Sequence, residues 1–233
     1  MDSADRADPG SAAFTAATTG RREPGVPPDD GRVRLVLVRH GRTPSNLAHT
    51  LDTVLPGPSL DEVGAAQADE VAGLLADWPV RAVYASVAAR ARETAAPIAA
   101  RLGIAVSILD GVHEISVGDL NGRSDDEAKK IFDDVFTSWW DGDTARPQPG
   151  GDSADDLRAR FLPDVDRALD GVTDGAVVIV SHGAAIRLTM SALLAGRDGE
   201  TWARDNLIPN TGRIVLRADP DGWTLESHDP MPA

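Results

Sequence analysis

The chain of 233 residues contains no cysteine, and its apolar stretches are all short. The lack of cysteine excludes disulfides, a thiolate nucleophile and a cysteine-based zinc site. A helix that crosses a bilayer needs about 20 consecutive apolar residues, and the sequence predicts no such helix. We therefore expect a cytoplasmic protein that does not associate with a membrane.

Basic residues are fewer than acidic ones: the chain has 23 Lys and Arg residues and 37 Asp and Glu residues. The resulting net charge of −14 repels phosphate backbones, so we expect no nucleic acid partner. An acidic protein that binds an anionic small molecule must concentrate its cations inside the pocket. Arginines that follow predicted strands, namely Arg39 and Arg90, are therefore informative.

The composition predicts one domain preceded by a tail. Residues 1–30 contain acids, Gly, Pro, Ser and Thr without the continuous apolar run of a signal peptide, which predicts a disordered N-terminal tail. Residues 31–233 show no internal repeat and no change of composition, and this length suits a single domain. The sequence leaves open whether the domain forms a homodimer.

Predicted strands and helices alternate along this domain. Apolar runs predict strands at 33–38, 80–85, 104–109 and 176–180, with helices at about 59–76, 88–102, 152–169 and 184–194. Two late runs, 213–217 and 223–227, predict a terminal hairpin. Paired aromatics at 131–140 predict a helix that either packs on the domain or covers a pocket as a lid. The alternation indicates an α/β fold whose sheet is covered on both faces.

Two histidines follow predicted strands in the same way. His40 comes after the run 33–38 and His182 after the run 176–180, and each precedes a glycine. A single histidine at such a position is most often a turn or capping residue. In an open α/β sheet, however, ligands bind outside the carboxyl ends of the strands. Two histidines in this position therefore predict one crevice and favour an enzyme.

Neighbouring residues extend this candidate site. Gly41 permits close approach of the backbone, while Thr43 and Asn46 add polar groups in the same loop. Gly183 precedes a predicted helix whose N-terminus favours anions. Glu114 taken alone would be read as a solvated surface acid.

Taken together, these residues resemble the histidine phosphatase superfamily, which includes the cofactor-dependent phosphoglycerate mutases. The superfamily's Arg-His-Gly-x-Thr-x-x-Asn is matched at 39–46, and its Glu-x-x-x-Gly-x-x-x-Gly at 114–122. Its Leu-Thr-x-x-Gly-x-x-Gln-Ala is matched at 60–68, with Asp in place of Thr. Further matches lie, in the expected order, at 85–95, 149–153 and 180–183.

The resemblance implies a phosphoglycerate mutase-like fold, a three-layer α/β/α sandwich with a mostly parallel sheet. It implies that His40 becomes a phosphohistidine and that Glu114 gives a proton to the leaving oxygen. Arg39, Arg90 and His182 would complete the catalytic set by binding the phosphoryl oxygens. The residues expected to contact the substrate are Arg39, Gly41, Thr43, Asn46, Arg90 and Gly183. This chemistry requires neither a metal nor a cofactor.

A phosphatase that hydrolyses a small phosphorylated metabolite is the function we favour. The first alternative is a phosphoglycerate mutase, but those enzymes carry a longer, more basic insertion after the acid, whereas residues 114–149 are short, acidic and aromatic. A non-catalytic phosphate- or peptide-binding module would be expected to lose a catalytic residue, and all five are present. A metal-dependent hydrolase using His40, His113 and His182 is a further alternative.

Arg42 departs from the superfamily pattern, which often has Glu or Gln at this position. We expect it to add a cation near the pocket entrance. Such a cation would favour a substrate with a second acidic group.

Overall fold

The computed structural model describes residues 25–27, 30–194 and 197–229, so most of the predicted tail at 1–30 lies outside the described residues. The strands are β1 (Val33–Arg39), β2 (Val80–Ser86), β3 (Val106–Leu109), β4 (Gly175–Ser181), β5 (Arg213–Asp219) and β6 (Gly222–His228). The helices are α1 (Pro44–Leu47), α2 (Glu62–Leu74), α3 (Ala89–Leu102), α4 (Asp126–Trp140), α5 (Ala154–Leu169), α6 (Gly183–Leu193) and α7 (Arg197–Asp205).

The strands form one six-stranded sheet in the order β3-β2-β4-β1-β5-β6. The first four strands in this order are parallel, and the hairpin adds β5, which is antiparallel to β1, and then β6, which is antiparallel to β5. Arg39 at the end of β1 is paired with Ser181 at the end of β4. His40 and His182, one residue further on, are therefore brought side by side at the carboxyl edge of the sheet.

Helices cover both faces of the sheet, as the sequence predicts. Successive side chains of a strand point to opposite faces, so Leu35 and Leu37 join a core with α4, α5 and α6, while Val36 and Val38 join another with α2 and α3. Every residue of β4 is buried, as expected for a central strand of a parallel sheet. The mostly parallel α/β/α sandwich is therefore confirmed.

Some elements differ from their predicted bounds. Helix α4 begins at Asp126 rather than 131, because Asp125 caps it and accepts a hydrogen bond from the Ala128 amide. This polar first turn lies outside the aromatic run on which the prediction relied. Helix α7 was not predicted, since its sequence is polar and contains glycine. Within the described residues, no helix combines the length and apolar character that crossing a bilayer requires.

Candidate active site

A cavity of about 290 Å³ opens at the carboxyl edge of the sheet. Four of the five predicted catalytic residues line it: Arg39, His40, Arg90 and Glu114. His182, the fifth, is fully buried beside His40, with the two ring centroids 5.1 Å apart. The structure therefore brings together side chains that are up to 143 positions apart in the sequence (182 − 39).

The predicted substrate-contacting residues are placed less uniformly. Thr43, Asn46 and Gly183 line the cavity, whereas Gly41 does not. The Gly41 amide donates a hydrogen bond to Thr94 Oγ1 at 2.9 Å. A Cβ at Gly41 would lie 2.6 Å from the carbonyl oxygen of Gly64, so this glycine allows the start of α2 to pack closely. Its contact with substrate remains a prediction.

His40 is held as a neutral imidazole. Its Nδ1 lies 2.7 Å from the carbonyl oxygen of Gly41, and this acceptor assigns the ring proton to Nδ1. Burial, reinforced by the charges of Arg90 and Arg39, holds the pKa of His40 well below its usual value of 6.5. Nε2 therefore keeps its lone pair at neutral pH and is available as a nucleophile.

We expect nitrogen NMR of the imidazole ring to show His40 protonated on Nδ1 alone at neutral pH. Because its pKa is lowered, the ring should stay neutral as the pH falls past 6.5 and titrate only below that value. A His40 ring that gains its second proton at or above pH 6.5 would contradict this assignment.

His182 lies beside His40 and has one ring nitrogen without a hydrogen-bond partner among the described residues. Its Nε2 lies 2.7 Å from Ser86 Oγ, which also accepts a hydrogen bond from the Ala88 amide. Because the Ser86 hydroxyl has no other acceptor among the described residues, it donates to Nε2, which leaves the ring proton on Nδ1. Nδ1 is buried and has no partner among the described residues. Burial, followed by the charge of Arg90, holds the pKa of His182 well below 6.5.

The two arginines are anchored at one nitrogen and leave another unpaired. Arg39 Nη1 donates to the Ile208 carbonyl at 2.6 Å, and Arg90 Nη2 donates to the Asp52 carbonyl at 3.3 Å. Arg39 Nε and Arg90 Nη1 are buried without a partner in the described part of the chain. Burial lowers the pKa of both groups, but a guanidinium stays charged. Buried unpaired cations are costly, so an anion is the ligand that this site favours.

Gly57 explains how Arg90 fits. A Cβ at this position would lie 2.5 Å from Arg90 Nη1. The backbone φ of Gly57 is +69°, in the left-handed region that suits glycine. The turn can therefore pass directly beside the guanidinium only because residue 57 has no side chain.

Glu114 occupies the N-terminus of α6. Its Oε1 accepts hydrogen bonds from the amides of Ile115 at 2.9 Å and Ala185 at 2.8 Å, and its Oε2 accepts one from Ala184 at 3.2 Å. The group at this helix terminus is thus the protein's own carboxyl group, oriented by the amides of Ala184 and Ala185. Contact between Gly183 and substrate remains a prediction.

Arg160 of α5, which the sequence analysis did not select, supports the segment that carries this acid. It donates to the carbonyl oxygens of Gly111 at 2.6 Å, His113 at 2.8 Å and Glu114 at 2.9 Å. It also donates to Asp152 Oδ2 at 3.2 Å. Three of these four bonds hold the backbone of residues 111–114, so Arg160 is a positioning residue for Glu114.

Replacing Arg160 with methionine should lower kcat by about 10- to 100-fold, because small misplacements of a reacting group are costly. The loss should be larger for an alkyl phosphate than for p-nitrophenyl phosphate, since a poor leaving group depends more on a well-placed acid. Steady-state kinetics with both substrates measures this difference. Equal losses on both substrates would show a purely structural role.

The structure bears on two further predictions from the sequence, one about Arg42 and one about the aromatic helix α4. Arg42 Nε donates to Asp61 Oδ2 at 2.8 Å, and Arg42 is not part of the cavity lining. The expectation of a cation near the entrance is therefore wrong, because the Asp that replaces the superfamily's Thr pairs with Arg42. In the aromatic helix, Phe132 and Phe136 line the cavity, and Phe136 and Trp139 also belong to the buried core. The helix therefore packs on the domain, and its role as a lid remains a prediction.

A metal-dependent site would require clustered ligands. Within the described ranges, no group of three or more His, Cys, Asp or Glu side chains is arranged to hold a metal ion. His40 and His182 adjoin each other, but His113 does not complete such a group. Its Nδ1 instead lies 2.9 Å from the Glu114 carbonyl oxygen.

Known proteins share this sequence pattern and fold. The chain is 30% identical over 213 residues to a PE-PGRS family protein of Mycobacterium tuberculosis, covering 84% of this chain but only 36% of that protein. It is 33% identical over 194 residues to a 2,3-bisphosphoglycerate-dependent phosphoglycerate mutase of Chelativorans sp., covering 80% of this chain and 93% of that enzyme.

Solved structures agree with the topology. A mycobacterial glucosyl-3-phosphoglycerate phosphatase superposes with a TM-score of 0.69 at 27% identity, covering 83% of this chain and 96% of that one. The family model of the histidine phosphatase superfamily (branch 1) matches residues 35–229. This range contains every predicted catalytic residue. The chain belongs to the histidine phosphatase superfamily.

Proposed function

We propose that the protein is a metal-independent phosphomonoester hydrolase that acts through a phosphohistidine on a small phosphorylated metabolite. One observation carries the proposal: Arg39 Nε, Arg90 Nη1 and His182 Nδ1 are all buried around the His40 imidazole, and none has a partner among the described residues. A phosphoryl group supplies the acceptor oxygens and the negative charge that these three donors lack. The nucleophile therefore lies where a bound phosphate would be held.

In the first step, the lone pair of His40 Nε2 attacks phosphorus and the ester P–O bond breaks. The leaving oxygen takes a proton from the Glu114 carboxyl group, so that the alcohol departs neutral. The guanidinium groups of Arg39 and Arg90 and the His182 Nδ1–H stabilise the charge that spreads over the phosphoryl oxygens. The positive charge of the phosphorylated ring is shared through its Nδ1–H bond to the Gly41 carbonyl.

In the second step, water attacks the phosphohistidine. Glu114, now a carboxylate, accepts a proton from that water, the N–P bond breaks, and His40 leaves as a neutral imidazole. Covalent capture thus divides one slow displacement into two faster ones. Because Glu114 both gives and receives the proton, the active site returns to its starting state with phosphate and alcohol as products.

The cavity lining favours a phosphatase over a mutase. A mutase must also hold an intermediate with two phosphoryl groups. Besides Arg39 and Arg90, the only arginine in the described lining is Arg187, and the residues after the acid contribute the apolar side chains of Ile115 and Val117. The curated relatives include mutases and the solved structures include phosphatases, so the distinction requires a direct assay.

Phosphate release from p-nitrophenyl phosphate and a panel of small phosphomonoesters, measured with EDTA present, tests the proposal. We expect multiple turnovers that EDTA does not reduce. Loss of turnover in EDTA would indicate the metal-dependent alternative. Phosphoryl transfer on 3-phosphoglycerate without net phosphate release would indicate a mutase, and binding without any turnover would indicate a non-catalytic module.

A further inference from the structure

Arg187 lies on the same helix face as Gly183. Residues four positions apart on a helix share a face and are separated by about 6 Å along its axis, and both residues line the cavity. Gly183 marks the phosphoryl end, because a Cβ there would lie 3.3 Å from Arg39 Nε. Arg187 therefore faces the part of the cavity that receives the remainder of the substrate.

The Arg187 guanidinium is fixed on most of its edges. Its Nε donates to the Ala203 carbonyl at 2.8 Å and its Nη2 to the Arg204 carbonyl at 3.0 Å. Its central carbon lies 5.1 Å from the centroid of the Phe136 ring and 5.8 Å from that of Trp140. The group is therefore preorganised, so a ligand that binds it need not restrict a mobile side chain.

One nitrogen of this group is unused. Arg187 Nη1 has no hydrogen-bond partner within the described residues, and it is not among the buried polar atoms that lack one, so it remains accessible. No carboxylate of the described residues forms a salt bridge with Arg187; burial lowers its pKa and the charge of Glu114 raises it. Glu114 is already bound to three backbone amides. The described residues thus leave a fixed cation lining the cavity without an anionic partner.

We infer that Arg187 is a specificity-determining residue that binds a carboxylate on the substrate, which makes the substrate a phosphorylated hydroxy acid. A carboxylate matches a guanidinium in both charge and planarity. The surrounding Phe136, Ile115 and Val117 side chains suit the short carbon chain between the two acidic groups. This inference rests on the proposed phosphatase function, because it assumes that the phosphoryl group is bound by Arg39 and Arg90.

Two substrates that differ at the carboxylate test the inference. 3-Phosphoglycerate carries the carboxylate, whereas glycerol 3-phosphate has a hydroxymethyl group in its place. Wild type should prefer 3-phosphoglycerate in kcat/KM by about 10- to 100-fold, as expected for one hydrogen bond to a charged group. The Arg187→Met variant should lose this preference, and Arg187→Lys should retain part of it.

Arg158→Met is the matched control for loss of helix anchoring. Arg158 also ties α6 in place, donating to the Leu188 carbonyl at 3.1 Å and to Ser191 Oγ at 2.8 Å, but it does not line the cavity. This control should keep the wild-type preference. A preference absent from wild type, or lost equally in both variants, would overturn the inference.

Calorimetric binding in a His40→Asn background separates this inference from the proposed function. Tighter binding of 3-phosphoglycerate than of glycerol 3-phosphate, abolished by Arg187→Met, would support the role of Arg187 even without turnover. If wild type hydrolyses both compounds and the His40→Asn variant binds both equally, the proposed carboxylate contact is wrong and the proposed phosphatase function is retained. Absence of hydrolysis combined with selective binding would reject the phosphatase alone.

Discussion

Replacing His40 with asparagine is expected to lower kcat for p-nitrophenyl phosphate by more than about 10⁴-fold, because removal of the nucleophile in a covalent enzyme leaves only the contribution of binding groups. Asparagine retains a polar side chain but has no basic ring nitrogen. Phosphate release at saturating substrate measures the effect. Inorganic phosphate should still bind the variant, since Arg39, Arg90 and His182 remain.

His49→Asn is the control for this experiment. His49 is exposed and lies outside the cavity lining, and its positive φ of 52° is one that asparagine tolerates. The control should turn over like wild type. Turnover by His40→Asn within tenfold of wild type, with the fold intact by circular dichroism, would exclude His40 as the nucleophile.

Replacing Glu114 with glutamine is expected to have the second-largest effect, a loss of about 10²- to 10⁴-fold in kcat for an alkyl phosphate. Glutamine can keep an oxygen facing the Ile115 and Ala185 amides, and it gives up the bond from Ala184. What it cannot do is give a proton to the leaving oxygen. The loss in the rate of phosphohistidine formation should be much smaller when the leaving group is nitrophenolate, a stable anion that departs without protonation.

This dependence on the leaving group distinguishes an acid from a structural residue. Kinetics with one alkyl and one aryl phosphate, measured on wild type and Glu114→Gln, provide the comparison. With the aryl ester, formation of the phosphohistidine should remain fast and its hydrolysis should limit turnover, giving an initial burst of nitrophenolate. Identical losses on both esters and no burst would assign proton transfer to another group.

The sequence predicted the centre of this site because the centre depends on local features. Buried apolar runs end at His40 and His182, and the topology of a parallel sheet brings such strand ends together. The pairing of Arg39 with Ser181 is the register that this expectation requires. Membership in the superfamily, inferred from motif order, was confirmed by the match over residues 35–229.

The supporting residues could not be predicted in the same way, since their roles arise from contacts between distant segments. Arg160 binds carbonyls 46 to 49 positions away, and Ser86 contacts a histidine 96 positions away. Within its own helix or strand, each of these residues looks like an ordinary polar residue. The Asp at position 61 was visible as a departure from the motif, but its pairing with Arg42 required the fold.

Arg187 illustrates a second limit. It follows the His182 motif by five positions, yet an arginine on a predicted helix is usually solvated. Its anchoring depends on α7, which the sequence did not predict, and on aromatics from α4. The surroundings of Arg187 come from three helices, so the sequence of α6 alone cannot predict its role.

The most direct test of the account is to locate the phosphoryl group during turnover. The enzyme is mixed with p-nitrophenyl phosphate, quenched in alkali to preserve phosphohistidine, digested and mapped by mass spectrometry. A phosphohistidine mechanism predicts one phosphorylated site, on His40, that forms with EDTA present and is absent from His40→Asn. A phosphoryl group on another residue, or steady turnover with no phosphoenzyme at any time after mixing, would contradict it.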